Sequence, residues 1–204
     1  MIRVKRTFGD ESGTQITDDD IIRWINDAQN EIGQTQKLAE TTGTQSTTEG
    51  TLEYDLPANF IEFRAVYYDN YKLHYLTQQE FDEYVRRIDS DRAVSVNTQP
   101  IYYTSWGDKI SLYPAVEEGK TLEIRYVCFP APVSSELDSL TLPLRYHQQI
   151  VELVLASAYA LDENFEAHNL MRNQASASLA DLDGQESHDA QDEYPFIKVR
   201  LEDV

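Results

Sequence analysis

The stretch LPLRYHQQIVELVLASAYAL, residues 142–161, decides how the chain has to fold. At about 100° per residue, the apolar side chains from Leu144 to Leu161 cover most of a helix circumference. The remaining polar stripe is narrow: Arg145, Gln148, Gln149 and Glu152. A helix that is apolar on nearly every side must be enclosed by several neighbours. Pro143 suits its first turn, where a fixed φ and a missing N–H do no harm. The rest of the sequence must therefore supply helices to cover it.

One such helix follows directly. Residues 163–183 place Phe165, Met171, Ala175, Leu179 and Leu182 on one face, with the small-residue run ASASLA for close packing and Gly184 as its C-cap. Another lies near the start, in ITDDDIIRWINDAQNEI, residues 16–32. Its three adjacent aspartates raise three readings: metal ligands, an acid/base pair, or a helix start. Thr17 and Asp20 have the spacing of a capping box, and Ile16 and Ile21 flank it as a hydrophobic staple does. Ile21, Trp24, Ile25, Ala28 and Ile32 share one face; Asp19, Arg23, Asn26, Asp27 and Asn30 share the other. Asp18, Asp19 and Asp20 then occupy the first turn, where carboxylates meet the positive end of the helix dipole. The aspartates read as a helix start, and Gly33 as its end.

Between the helical regions the texture changes. Residues 38–56 are rich in Thr and interrupted by Gly43 and Gly50, which predicts a hairpin or loose strands. FIEFRAVYYDNYKLHYL predicts two strands about an Asp69-Asn70 turn. TQQEFDEYVRR predicts a short helix with a Thr77–Glu80 capping box, and residues 89–99 a polar loop. PIYYTSWGDKISLYP, residues 100–114, is a hairpin signal with its turn at Gly107-Asp108. KTLEIRYVCF alternates, with Leu122, Ile124, Tyr126 and Cys128 on one face. Five to seven short strands imply an antiparallel sheet or small sandwich, so the class is α+β. The last residues add an acidic spacer and then Tyr194, Phe196, Ile197, Val199 and Leu201. This patch either joins a sheet or groove of another chain or completes its own sheet.

Composition narrows the function. The chain has 204 residues, 41% of them hydrophobic, with 17 basic against 36 acidic side chains and a net charge of −19. That balance argues against a nucleic-acid-binding surface, which needs clustered Lys and Arg, and against docking on an anionic membrane. Two readings of the charge remain: solubility through self-repulsion, or an acidic wall past which nucleic acid slides. Cys128 is the single cysteine, so no internal disulfide forms, and its strand position predicts a buried structural thiol. The start, MIRVKRTFGD, lacks the apolar run of a signal peptide, and no stretch is long enough to span a membrane. The expectation is a soluble cytoplasmic protein.

The residues argue for no reaction. GxxxxGK[ST], GxGxxG and GxSxG are absent. His74, His147, His168 and His188 do not fall at metal-ligand spacing. DxDG near Gly184 suggests a calcium loop, but its register puts Leu179 first and Ala190 twelfth, where oxygen ligands are required. Glu117 and Glu118 read as a solvated turn. The tyrosines at 67, 68, 71, 75, 102, 103 and 113 read either as sheet packing or as an exposed aromatic face for a protein or sugar partner. We expect no enzyme, metal or cofactor.

The order of parts carries more than any motif. WINDAQ, then YDLP before a strand, then the strand pair around SWGDKISLYP, then LPLRYHQQIVE with AYAL resembles the head-to-tail adaptor, or connector, proteins of tailed bacteriophages, over residues 17 to 183. The resemblance implies a helical bundle from the N- and C-terminal helices with an inserted antiparallel β-rich domain. On this chain the division is an arm over 1–16, a first bundle helix over 17–34, the insert with one short helix over 35–142, bundle helices over 143–186 and a docking tail over 187–204. It also implies a ring of about twelve copies in the virion below the portal, extending the DNA channel and carrying the tail or nozzle protein, with DNA passing unbound. We expect Tyr194, Phe196, Ile197, Val199 and Leu201 to dock on the portal, and Trp24, Tyr146, Ile150, Leu153 and Leu161 to pack subunits together. The alternative from another class is a carbohydrate-binding or host-contact module that uses the tyrosine-rich sheet.

Overall fold

A computed structural model of the chain describes residues 1–90, 99–114 and 116–192, with backbone alone for 88–90 and 183–192. The chain divides into two units: residues 1–36 with 130–204, and residues 37–129, the second inserted in the sequence of the first. The class is α+β, with helices and largely antiparallel sheets.

The first unit is helical. In the N-terminal arm lies α1 (Ile2–Phe8), which ends at Gly9, whose φ of 94° suits a residue without Cβ. The chain then turns around Asp10. Its carboxylate accepts from the backbone N–H groups of Thr14 (3.0 Å), Gln15 (2.7 Å) and Ile16 (2.9 Å), and from Ser12 Oγ at 3.1 Å. Those bonds to the charged form lower its pKa to about 2. α2 (Asp18–Gln36) opens with the capping box read from the sequence: Asp20 N–H donates to Thr17 Oγ1 at 3.1 Å, and Thr17 N–H donates back to Asp20 Oδ2 at 3.2 Å. Ile16 and Ile21 are both fully buried.

Two expectations for α2 are corrected. The helix runs through Gly33 to Gln36. Gly33 is buried because Pro130 lies against it, and a Cβ there would stand 2.8 Å from the ring. Asn26, placed on the solvent face by periodicity, instead binds the Val133 backbone, donating to its carbonyl at 2.9 Å and accepting from its N–H at 2.8 Å. Buried Gln29 sits beside it. A polar side chain that satisfies both groups of one residue's backbone pins the Pro-rich connection to the helix, at roughly 0.5–1.5 kcal/mol per bond.

Pro143 introduces a 3-10 turn (Leu144–Tyr146) before α4 (His147–Leu161); α3 lies in the second unit. As the circumference argument required, α4 is contacted by α1, α2 and α5 (Phe165–Asp192). Ile150, Leu153, Val154, Leu155, Ala156 and Ala158 are buried. Gln149, assigned to the polar stripe, is buried too. α5 starts at Phe165 rather than Glu163, whose φ of 57° belongs to the turn. It continues through Gly184, which is therefore no C-cap. Ala175 is its fully buried contact residue, whereas Phe165 on the predicted apolar face is 63% exposed.

The second unit carries two four-stranded sheets. One has the order β1 (Glu40–Ser46), β8 (Thr121–Cys128), β3 (Phe60–Tyr68), β4 (Tyr71–Lys72). The other runs β2 (Glu53–Asp55), β7 (Lys109–Tyr113), β6 (Tyr102–Trp106), β5 (His74–Tyr75). Residues 38–56 form no hairpin, since β1 and β2 belong to different sheets. The turns at Asp69-Asn70 (φ 46° and 71°) and Gly107-Asp108 are as expected. The β5–β6 pairing is parallel, an exception to the antiparallel expectation.

One core joins the sheets, built from Tyr54, Val66, Tyr68, Tyr103, Ile110, Leu112, Leu122, Ile124 and Tyr126. Phe63 and Tyr103 meet edge-on across it at 5.3 Å. α3 (Gln78–Ser90) packs Phe81 and Tyr84 on Tyr102 and Tyr113, and its Thr77–Glu80 capping box is formed.

Candidate functional site

Two acids of the opening triplet have structural partners. Asp18 pairs with Lys5 at 2.6 Å, while Asp20 closes the capping box and holds Arg23 at 2.7 Å. The bonds from Thr17, with Arg23 nearby, keep the Asp20 carboxyl below its usual range. The basic residues of the N-terminal segment are engaged in the same way. Arg3 donates to Gln148 at 2.7 Å, and Arg6 faces Glu11 at 3.3 Å. Two of these three charges, Lys5 and Arg6, already face carboxylates, which leaves less positive charge for a phosphate backbone.

Three groups with potential chemistry, His147, His168 and Cys128, are held in structural roles. His147 Nε2 bonds the Leu142 carbonyl at 3.0 Å, and His168 Nδ1 bonds that of Ala156 at 2.8 Å. Cys128 is buried, as its strand position predicts, and burial pushes its thiol pKa up, away from a reactive thiolate. Among the described residues no group of three His, Cys, Asp or Glu side chains is placed to hold a metal ion. No described helix is long and apolar enough to cross a membrane.

The tyrosines divide between the two readings. Tyr68 and Tyr103 lie in the core; Tyr102 and Tyr113 lie under α3; Arg125 covers the Tyr67 ring at 4.7 Å. Tyr71 (63%) and Tyr75 (54%) remain exposed. Beside α3 a cavity of about 430 Å³ is lined by Leu76, Glu80, Glu83, Tyr84, Arg87 and Tyr102. It mixes both signs of charge with aromatic rings.

What the molecule does offer is apolar surface for protein contacts. On the helical unit Ile2, Leu137, Leu144, Leu161, Phe165 and Leu170 are exposed, and Leu161 and Phe165 flank the α4–α5 turn. On the β unit Trp106 stands 72% exposed at the tip of the β6–β7 hairpin. Of the residues assigned to subunit packing, Leu161 is exposed and Trp24 half-buried, while Tyr146, Ile150 and Leu153 lie in the core of the single chain. The docking residues Tyr194, Phe196, Ile197, Val199 and Leu201 fall outside the described residues.

Sequence reading overlooked Asp10, Trp106 and the edge position of β1, whose residues it had placed in a hairpin or loose strands. The signal for Trp106 was present, because a large aromatic beside a Gly-Asp turn has no cross-strand neighbour beyond it to cover it. For Asp10 no periodicity exists, since its partners are backbone N–H groups.

Comparison with known proteins bears on these surfaces. The model of the SU10 adaptor protein family matches residues 1–195, both units included. A search of curated proteins gave no match. The chain belongs to the SU10 adaptor protein family, a family of phage head-tail adaptors, as the order of its parts led us to expect.

Proposed function

We propose that this adaptor works as a ring of about twelve copies below the portal, extending the DNA channel and carrying the tail or nozzle protein. The observation that carries the reading is the family match across residues 1–195. In this reading the helices of the first unit form a bundle whose outer apolar residues meet neighbouring copies. Leu161 and Trp24 make those contacts, and Tyr146, Ile150 and Leu153 fix the shape of α4 from within. The role is structural, without catalysis or cofactor. The protein is made in the host cytoplasm and resides at the head-tail junction of the virion.

The net charge of −19 supports a channel that passes DNA without holding it, because carboxylates on a channel wall repel phosphates. The engaged Arg3, Lys5 and Arg6 are consistent with this. We assign Tyr194, Phe196, Ile197, Val199 and Leu201 to a contact with another chain, which the sequence reading takes to be the portal.

The test is to mix the purified protein with the portal ring of its source virus and record the native mass. A discrete adduct of about twelve copies is expected. A protein that stays free of the portal at micromolar concentration overturns the adaptor ring.

A further inference from the structure

β1 ends its sheet, and among the described residues no strand pairs with its outer side. The hydrogen bonds at its two ends fix which residues face outward. Cys128 N–H donates to the Ala39 carbonyl at 2.8 Å, and Thr47 N–H donates to the Lys120 carbonyl at 2.8 Å. Ala39 and Thr47 therefore turn their backbone groups toward β8. By the alternation of an antiparallel ladder, Thr41, Gly43 and Gln45 do the same. Glu40, Thr42, Thr44 and Ser46 turn their N–H and C=O groups away from β8, and all four are exposed.

Edge strands are ordinarily protected by lysine, proline, a bulge or short length. β1 has seven residues, contains neither Lys nor Pro, and keeps an unbroken register with β8. Its one charged residue, Glu40, is held by Arg64 at 2.8 Å at the end of the strand. Beside it lies a cleft of about 220 Å³ in which Leu56, Pro57 and Ile124 supply apolar surface and Thr44, Gln45 and Asp55 polar atoms, with Gly43 between them. Thr41, Gly43 and Gln45 share a face with their buried partners Tyr126, Ile124 and Leu122. A strand added to β1 would thus send every second side chain toward this cleft, against Leu56, Pro57 and Ile124.

One segment of this chain has the matching pattern. In YPFIKVRL, residues 194–201, Ile197, Val199 and Leu201 alternate with Lys198 and Arg200, giving an apolar face for the cleft and a basic one for solvent. The helix before it is built to carry it outward. α5 has 28 residues against the 15 of α4, on which it folds back. At 1.5 Å per residue its end stands roughly 20 Å beyond the start of α4.

We propose that residues 194–201 of a neighbouring copy add as a strand to the open edge of β1, with Ile197, Val199 and Leu201 in the cleft beside Gly43. The neighbouring copy rests on the ring reading above. The terminal segment then strings copy to copy, which gives an adaptor a reason to keep an unprotected edge.

The test uses full-length chains and does not need the portal for its first arm. One carries Thr42→Cys and an affinity tag; the other carries Lys198→Cys, because Thr42 and, in the proposed pairing, Lys198 both lie on the face away from the cleft. Buried Cys128 keeps the background low. With a short bifunctional thiol reagent, the mixture is expected to give a linked pair of tagged and untagged chains. Adding Thr44→Pro to the tagged chain should reduce that product to the level of a control pair with the cysteine at Glu118. Thr44 N–H faces away from β8, so this proline spares the ladder, and an unchanged melting temperature will verify it. Linking no better than the control, linking unaffected by Thr44→Pro, or linking only within a chain that carries both cysteines overturns the proposal. So does a Lys198→Cys chain that links to the portal when the portal is present and to no other copy. A ring that binds portal while these cross-links fail would leave the adaptor reading standing and remove this one alone.

Discussion

Gly33 and Pro130 touch so closely that a methyl group does not fit between them: a Cβ on Gly33 would lie 2.8 Å from Pro130 Cδ and 2.9 Å from Cγ. The proline ring is stiff and cannot swing aside as a long side chain would. The contact joins the last turns of α2 to the first residue after the β insert.

Gly33→Ala therefore sets two effects against each other. Alanine favours a helix interior by up to about 1 kcal/mol over glycine. Overpacking against a rigid ring costs roughly 1–3 kcal/mol. We expect net destabilisation, read as a lower denaturation midpoint. A stabilised variant would mean that the ring yields.

Asp10→Ala removes the acceptor that organises residues 12–16, so the melting temperature should fall by several degrees at pH 7. The pH dependence has a definite sign. The Asp10 pKa is about 2 in the fold against 3.8 without it. Its contribution is therefore complete above pH 3.8 and is lost as pH falls toward 2. The melting gap between the wild type and the variant should be constant near neutrality and close on acidification across the interval between those two values. A gap that persists below the lower one contradicts the assignment.

Thr17→Ala and Thr77→Ala each remove the hydroxyl of a formed capping box. Each should cost about 1 kcal/mol of stability. The pKa values of Asp20 and Glu80, both lowered chiefly by their cap hydroxyls, should rise toward normal in the respective variant. Carboxyl titrations followed by NMR read this directly.

Ala175→Leu puts a large side chain where α5 has its fully buried contact residue. Overpacking there should destabilise the helical unit by roughly 1–3 kcal/mol. Ala177→Leu, two residues on and exposed, serves as the neutral control in the same denaturant titration.

What the sequence revealed follows from the range of each interaction. The capping boxes, the Asp69-Asn70 and Gly107-Asp108 turns and the β8 alternation are local patterns, and the structure contains all of them. The failures at Gly33, Asn26 and Gln149 share a cause. Each residue was judged by type, yet each position is set by a partner distant in sequence or by enclosure from several helices. The pairing of β1 with β8 likewise joins segments far apart in the chain, such as Gly43 and Ile124, and leaves no trace in residues 38–56. The assembly surfaces were the least legible. Apolarity marks both core and contact, and only burial separates Ile150 from Leu161.

The two tryptophans are distributed usefully. Trp24 is half-buried in the helical unit, and Trp106 stands in solvent at a hairpin tip of the β unit. An indole that is already hydrated changes its emission little when its surroundings unfold, so a fluorescence melt of this chain would track the helices almost alone. Once copies assemble, the roles reverse. A blue shift from Trp106 would then report, without any attached label, that its hairpin had found a partner.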